Sequence, residues 1–143
     1  MALIELTPGY FVSPQIAVEE VPALAEAGIS LVICNRPDDE VPPSHQAAAL
    51  ESAVRAAGMD FVHIPVTNDT LTLDQVAQQA ALIEAAEGPV FAYCRSGTRS
   101  SIVWAMGQAG KMETDAILSA ATKAGYQLDG LRPTLDALAA QKG

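Results

Sequence analysis

In Tyr93-Cys94-Arg95-Ser96-Gly97-Thr98-Arg99-Ser100 a cysteine stands among arginines, a glycine and small hydroxyl residues, a combination able to act on an anion. The apolar run Pro89–Tyr93 ahead of it reads as a buried strand, and Ser100–Gln108 behind it reads as a helix. Cys94 therefore falls where a strand turns sharply into a helix N-terminus, with Gly97 to permit the turn. Backbone N–H groups and the positive end of the helix dipole converge at such a point and make an anion site. The same field favours thiolate over thiol. Arg99 opens the helix with a planar fork suited to two-point binding of an oxyanion, and a cation sits poorly there unless an anion is bound beside it. Arg95, Ser96, Gly97 and Thr98 complete the loop as anion-binding candidates. Ser100 is a candidate to stabilise the thiolate; equally, it caps the helix.

The elements that must position this loop alternate. Tyr10–Ser13 reads as a short strand, Glu19–Glu26 as a helix ended by Gly28, and Ile29–Cys34 as a central strand. A helix from His45 to Ala57 follows, capped by Ser44, then a strand Phe61–Val66 and a helix from Thr72 to Ala86. Beyond the central strand and helix come a helix Glu113–Ala124 and a last one starting near Pro133. Strands alternating with helices give a single α/β domain over residues 1–143, a mostly parallel sheet with helices on both faces. Ligands of such sheets bind beyond the carboxyl ends of the strands. Three polar loops leave those ends: Asn35–Glu40, Thr67–Thr70 and Cys94–Arg99.

Composition narrows the partners. A net charge of −9 argues against nucleic acid and against an anionic membrane surface, yet two of only eight basic residues, Arg95 and Arg99, lie in the central loop. Two cysteines, Cys34 and Cys94, are too few for a disulfide scaffold and fit a reduced, cytoplasmic setting. The N-terminus carries no secretory leader pattern. With two histidines and no cysteine pair at ligand spacing, neither a metal nor another cofactor is expected. His63 reads as a satisfied sheet residue, and Cys34, at the end of ISLVIC, as core.

A strand, then Cys-x-x-Gly, then Arg-Ser opening a helix, resembles the phosphate loop of the cysteine-dependent tyrosine and dual-specificity phosphatases. The wider text FVSPQIAVEEVPALAEAGISLVICNRPDDE, then FVHIPV, then AYCRSGTRSS with Trp104, resembles a bacterial family of small phosphatase-like domains. That family occurs alone or beside the metallo-hydrolase in beta-lactamase hydrolase-like proteins, which implies a functional link to such a hydrolase. The resemblance implies a cysteine-phosphatase-like fold, Cys94 as nucleophile, Arg99 as oxyanion ligand, and Asp69 as general acid on the loop after the preceding strand. It also places Arg36 and Asp38 near the site, Asp38 as the reserve acid; Cys34, which ends a neighbouring strand, offers a protective disulfide with Cys94 as the alternative to a core role.

Four residues separate Cys94 from Arg99, one fewer than in those phosphatases, and Tyr93 stands where they usually carry His. The shorter loop also resembles that of rhodanese sulfurtransferases. Three readings follow: a phosphatase acting on phosphate monoesters, a sulfurtransferase carrying a Cys94 persulfide from an anionic donor, or a silent anion-binding module. Asp69 separates the first two, because ester cleavage needs a proton donor for the leaving group and persulfide transfer does not.

Overall fold

The computed structural model describes residues 3–67 and 69–142. Five strands form one sheet: β1 Ile4–Thr7, β2 Tyr10–Ser13, β3 Leu31–Cys34, β4 Asp60–His63 and β5 Val90–Tyr93, in the order β1-β2-β5-β3-β4. All neighbouring pairs are parallel except β1 with β2. Strand β1 was not foreseen; it is a four-residue edge strand folded back by the turn at Gly9, whose φ is +90°. Strands β2, β3 and β5 lie inside the expected runs, while β4 starts one residue before the expected Phe61–Val66 and ends at His63.

Between them run α1 Val21–Glu26, α2 Ala47–Ala56, α3 Leu73–Ala85 and α4 Thr98–Gln108, with α5 Thr114–Lys123 and α6 Arg132–Lys142 closing the described chain. Helix α3 starts with a reciprocal cap: Thr72 Oγ1 accepts the Gln75 N–H at 3.1 Å, and Gln75 Oε1 accepts the Thr72 N–H at 3.1 Å. Helix α2 differs from expectation. Pro43–His45 forms a separate 3-10 turn, Ser44 bonds His45 instead of capping, and α2 begins at Ala47.

The two central strands are buried along their whole length, and their side chains alternate between two cores. Val32, Cys34, Phe91 and Tyr93 face one core with Leu24, Leu50 and Val54 of α1 and α2. Ile33, Val90 and Ala92 face the other, with Trp104 of α4, Ile117 and Leu118 of α5 and Leu135 of α6. Trp104 stacks on Tyr10 at 6.4 Å between ring centroids. In the parallel register Ser13 and Cys34 both pair with Tyr93, and Cys34 pairs with His63. Four strands thus end at one level, and the three polar loops leave the sheet together.

Candidate active site

The loop after β5 is built by one backbone turn. Gly97 adopts φ +93°, a left-handed conformation that L side chains rarely take, and serves as the N-cap of α4. The turn lets α4 begin at Thr98, two residues earlier than expected, and aims the Gly97 N–H at Cys94 Sγ, 3.1 Å away. Cys94 is fully buried beneath the loop. Its own N–H is held by the Ser13 carbonyl at 3.3 Å, and the Arg95 carbonyl accepts the Gln15 N–H at 3.4 Å. Ser101 Oγ closes the helix start on the Gly97 carbonyl at 2.8 Å. Beside this loop opens a polar cleft of about 670 Å³ lined by Arg36, Glu40, Thr67, Asp69, Arg95 and Arg99, with Cys94 itself outside the lining. All three loops contribute to it, as expected.

Arg99 is not a free cation. Its two terminal nitrogens reach the two carboxylate oxygens of Glu40 at 2.9 and 2.7 Å, and one of them also donates to the Val66 carbonyl at 2.7 Å. Arg36 joins the same carboxylate through Nε at 3.1 Å. Glu40 therefore links two guanidinium groups. Its carboxyl is held below the usual carboxylate range, chiefly by the Arg99 hydrogen bonds against an opposing effect of burial, with Arg36 adding. Arg99 is pushed up in turn, first by Glu40 and more weakly by the nearby Cys94. A carboxyl with a depressed folded-state pKa contributes its stabilisation above its ordinary pKa of about 4.3 and loses it as pH falls through the folded value. The Arg99 clamp consequently persists at neutral pH.

Arg95 is exposed in the cleft and, among the described residues, its side chain has no hydrogen-bond or ion-pair partner. Asp69 is exposed in the same cleft. Its backbone is fixed by a turn on Thr67 Oγ1 at 3.3 Å, and its carboxylate has no such partner among the described residues either.

Several expected site residues do not line the cleft, and Cys34 is the core residue that the sequence suggested. Asp38 caps α2 from a distance, its Oδ1 accepting the Ala47 N–H at 2.8 Å, and it does not line the cleft. The Ser100 hydroxyl is buried and donates to Asn35 Oδ1 at 2.8 Å, so it points neither at the anion nor at an orphan helix N–H. Cys34 donates to the Arg36 carbonyl at 3.4 Å within the core. Both cysteines are free thiols, and burial pushes the Cys34 thiol up. Ser96 and Thr98 bond one another at 3.0 Å and shape the loop without lining the cleft. His63 is the satisfied sheet residue expected, its Nε2 3.0 Å from the Arg36 carbonyl. Among the described residues no cluster of three His, Cys, Asp or Glu side chains could hold a metal ion.

The comparisons with known proteins bear on this site. Residues 2–111 match the family model of the beta-lactamase hydrolase-like protein, phosphatase-like domain. The chain belongs to this family. A beta-lactamase hydrolase-like protein of Agrobacterium fabrum is 33% identical over 109 residues, 76% of this chain but 25% of the relative. One of Xylella fastidiosa is 27% identical over 130 residues, 90% of this chain and 30% of the relative. The chain thus spans a quarter to three tenths of the length of the curated relatives it matches. A structure from Neisseria meningitidis, described provisionally as a phosphatase, superposes with TM-score 0.84 at 36% identity, covering 96% of this chain and 99% of that one. Tk-PTP in its active form shares the fold at TM-score 0.77 and 17% identity, over 99% of this chain and 97% of its own. So does a Cys-to-Ser variant of TpbA from P. aeruginosa, solved with phosphotyrosine, at TM-score 0.64 and 19% identity over 94% and 86%.

The phosphatase-like domain contains site residues that the sequence left unmarked. Glu40 stands in an acidic run that reads as a solvated turn. Tyr126 lies outside the family match; its hydroxyl donates to the Ser96 carbonyl at 3.1 Å and abuts Gly97. Behind the loop, buried Asn35 and Gln79 share a hydrogen bond of 2.8 Å, Gln79 reaches the Tyr10 hydroxyl at 3.1 Å, and Tyr10 donates to the Ser100 carbonyl at 3.1 Å. A network without missing partners fixes geometry, because every broken bond would leave a buried polar group unsatisfied.

Glu40→Ala tests the clamp. The cleft becomes more positive while Arg99 loses its fixed orientation, so turnover is expected to fall about tenfold or more while inorganic phosphate binds as well or better. Weakened phosphate binding with an unchanged kcat would mean that Glu40 orients nothing.

Proposed function

We propose that the chain is a cysteine-dependent phosphatase acting on phosphate monoesters. One observation carries the reading: Arg95 and Arg99, from the loop that holds Cys94, share one cleft with Asp69, whose carboxylate has no hydrogen-bond or ion-pair partner among the described residues. The phosphoryl group sits against the N–H groups of the loop and the guanidinium edge that Glu40 leaves open. Cys94 attacks phosphorus as the thiolate; the S–P bond forms as the P–O bond to the leaving group breaks. Protonated Asp69 gives its proton to the departing oxygen, avoiding a free alkoxide or phenoxide. Water then attacks the phosphocysteine, Asp69 takes up the water proton, and phosphate and thiolate are released. Asp38 is no rival for the acid, since its carboxylate is engaged at the start of α2. Family membership and the shared fold of a TpbA variant that holds phosphotyrosine support a phosphate ester as ligand.

A second reading retains one observation, the four-residue spacing between Cys94 and Arg99, which suits a sulfurtransferase. One reduced preparation assayed with an aryl phosphate and with thiosulfate plus cyanide separates the two. Phosphate release is expected. Asp69→Asn should lower it by about 10²–10⁴ for a poor leaving group while leaving any sulfur transfer unchanged. Thiocyanate formation without phosphate release would overturn the phosphatase reading.

A further inference from the structure

A second hollow, of about 320 Å³, adjoins the anion cleft and shares Thr67 and Arg99 with it; Leu71, Ile102, Met106 and Leu131 supply its apolar wall. Arg99, Ile102 and Met106 are spaced i, i+3 and i+7 along α4 and so lie on one helix face. The head of Arg99 is drawn into the cleft by Glu40 and the Val66 carbonyl, which leaves its methylene stem as the partition between the two spaces. Apart from Arg99, no described residue in the lining of the hollow is charged. Those four side chains are only partly buried, although they pack on the main core. A recess of this size and lining lies at the small end of ligand sites, roughly 300–1,000 Å³.

The loop that carries Asp69 connects the two spaces. Thr67 and Leu71, on either side of Asp69, both line the hollow, so the group that takes the Asp69 proton departs beside its mouth. We propose that this hollow receives the apolar body of the ester, making the substrate an aryl or alkyl phosphate monoester that carries no second charge. The proposal rests on the phosphatase reading for the position of the phosphate.

The test compares phenyl phosphate with 4-butylphenyl phosphate, whose leaving groups are alike in acidity and differ in apolar reach. The wild-type protein should favour the butyl ester by about tenfold or more in kcat/KM. Thr134→Trp, from an exposed position of α6 on the rim, should fill the hollow and abolish the preference, and Ile102→Ala should shift it toward bulkier esters. Calorimetric binding of phenylphosphonate and 4-butylphenylphosphonate gives a readout independent of turnover. If neither ester is cleaved but the butyl phosphonate binds about tenfold more tightly, and Thr134→Trp removes the gain, the hollow stands and the phosphatase reading falls. Equal kcat/KM for the two esters with equal phosphonate affinities, or a preference that Thr134→Trp leaves intact, overturns the proposal.

Discussion

Cys94→Ser is expected to abolish phosphate release, a loss of about 10³-fold or more, while inorganic phosphate still binds. A serine hydroxyl is a weak nucleophile without an adjacent base; Glu40 is locked between Arg99 and Arg36, and the proposed mechanism assigns Asp69 to the leaving group. The anion ligands are untouched. The Gly97 N–H that donates to Sγ at 3.1 Å can donate to a hydroxyl instead, so the loop keeps its shape. Removal of a nucleophile that acts together with its partners costs nearly the whole chemical enhancement, whereas binding rests on the other groups. Phosphate release on an aryl ester, paired with phosphate titration by calorimetry, checks both halves. Wild-type rates in the variant would remove Cys94 from the mechanism; parallel loss of binding would mean that the substitution had collapsed the loop.

The fold was legible because its signals are local. Pro89–Tyr93 and Ile29–Cys34 are apolar and β-branched enough to be central strands, and Gly28, Gly58 and Gly125 stop helices where the chain turns, each with positive φ. The missed strand, Ile4–Thr7, pairs only at one edge and with a register shift, so its pattern is short and irregular. In the candidate site, the residues that the sequence singles out are those whose neighbours advertise them: Cys94, Gly97 and Arg99 within one loop, and Asp69 at a strand-end turn. Glu40 carries no such mark. Its significance comes from Arg99, 59 positions away, and only tertiary structure brings the two together. Asp38, two residues before it, has the same chemistry and looked the better candidate; the 3-10 turn over Asp38–Glu40 sends one carboxylate to a helix end and the other to the cleft. Ser100 was misread for a related reason. Its partner is Asn35, whose burial follows from the sheet order and not from any spacing in the sequence.

Gly97→Ala is expected to damage both stability and turnover, because two independent costs meet at that position. The first is backbone: φ +93° is a left-handed conformation, worth roughly 1–2 kcal/mol against an L residue. The second is contact: a Cβ on residue 97 would lie 2.1 Å from the Tyr126 hydroxyl oxygen and 2.9 Å from the ring carbon that bears it. Tyr126 has little room to retreat, since it is buried and its hydroxyl is bonded to the Ser96 carbonyl. Breaking that bond adds about 0.5–1.5 kcal/mol. The expected total is about 2–4 kcal/mol, or a fall in Tm of roughly 5–15 °C for a chain of this size. Turnover should drop about a hundredfold or more, because relief of the strain rotates the N–H that faces Cys94 Sγ. The double variant Gly97→Ala/Tyr126→Phe divides the two costs. Without the hydroxyl the ring can shift, so part of the stability returns; the left-handed φ remains, so turnover stays low. Thermal melts and kcat/KM on the same three proteins decide it. Full recovery in the double variant would make Tyr126 the whole obstacle, and a single variant with wild-type stability and turnover would mean that neither the left-handed turn nor the Tyr126 contact holds the loop.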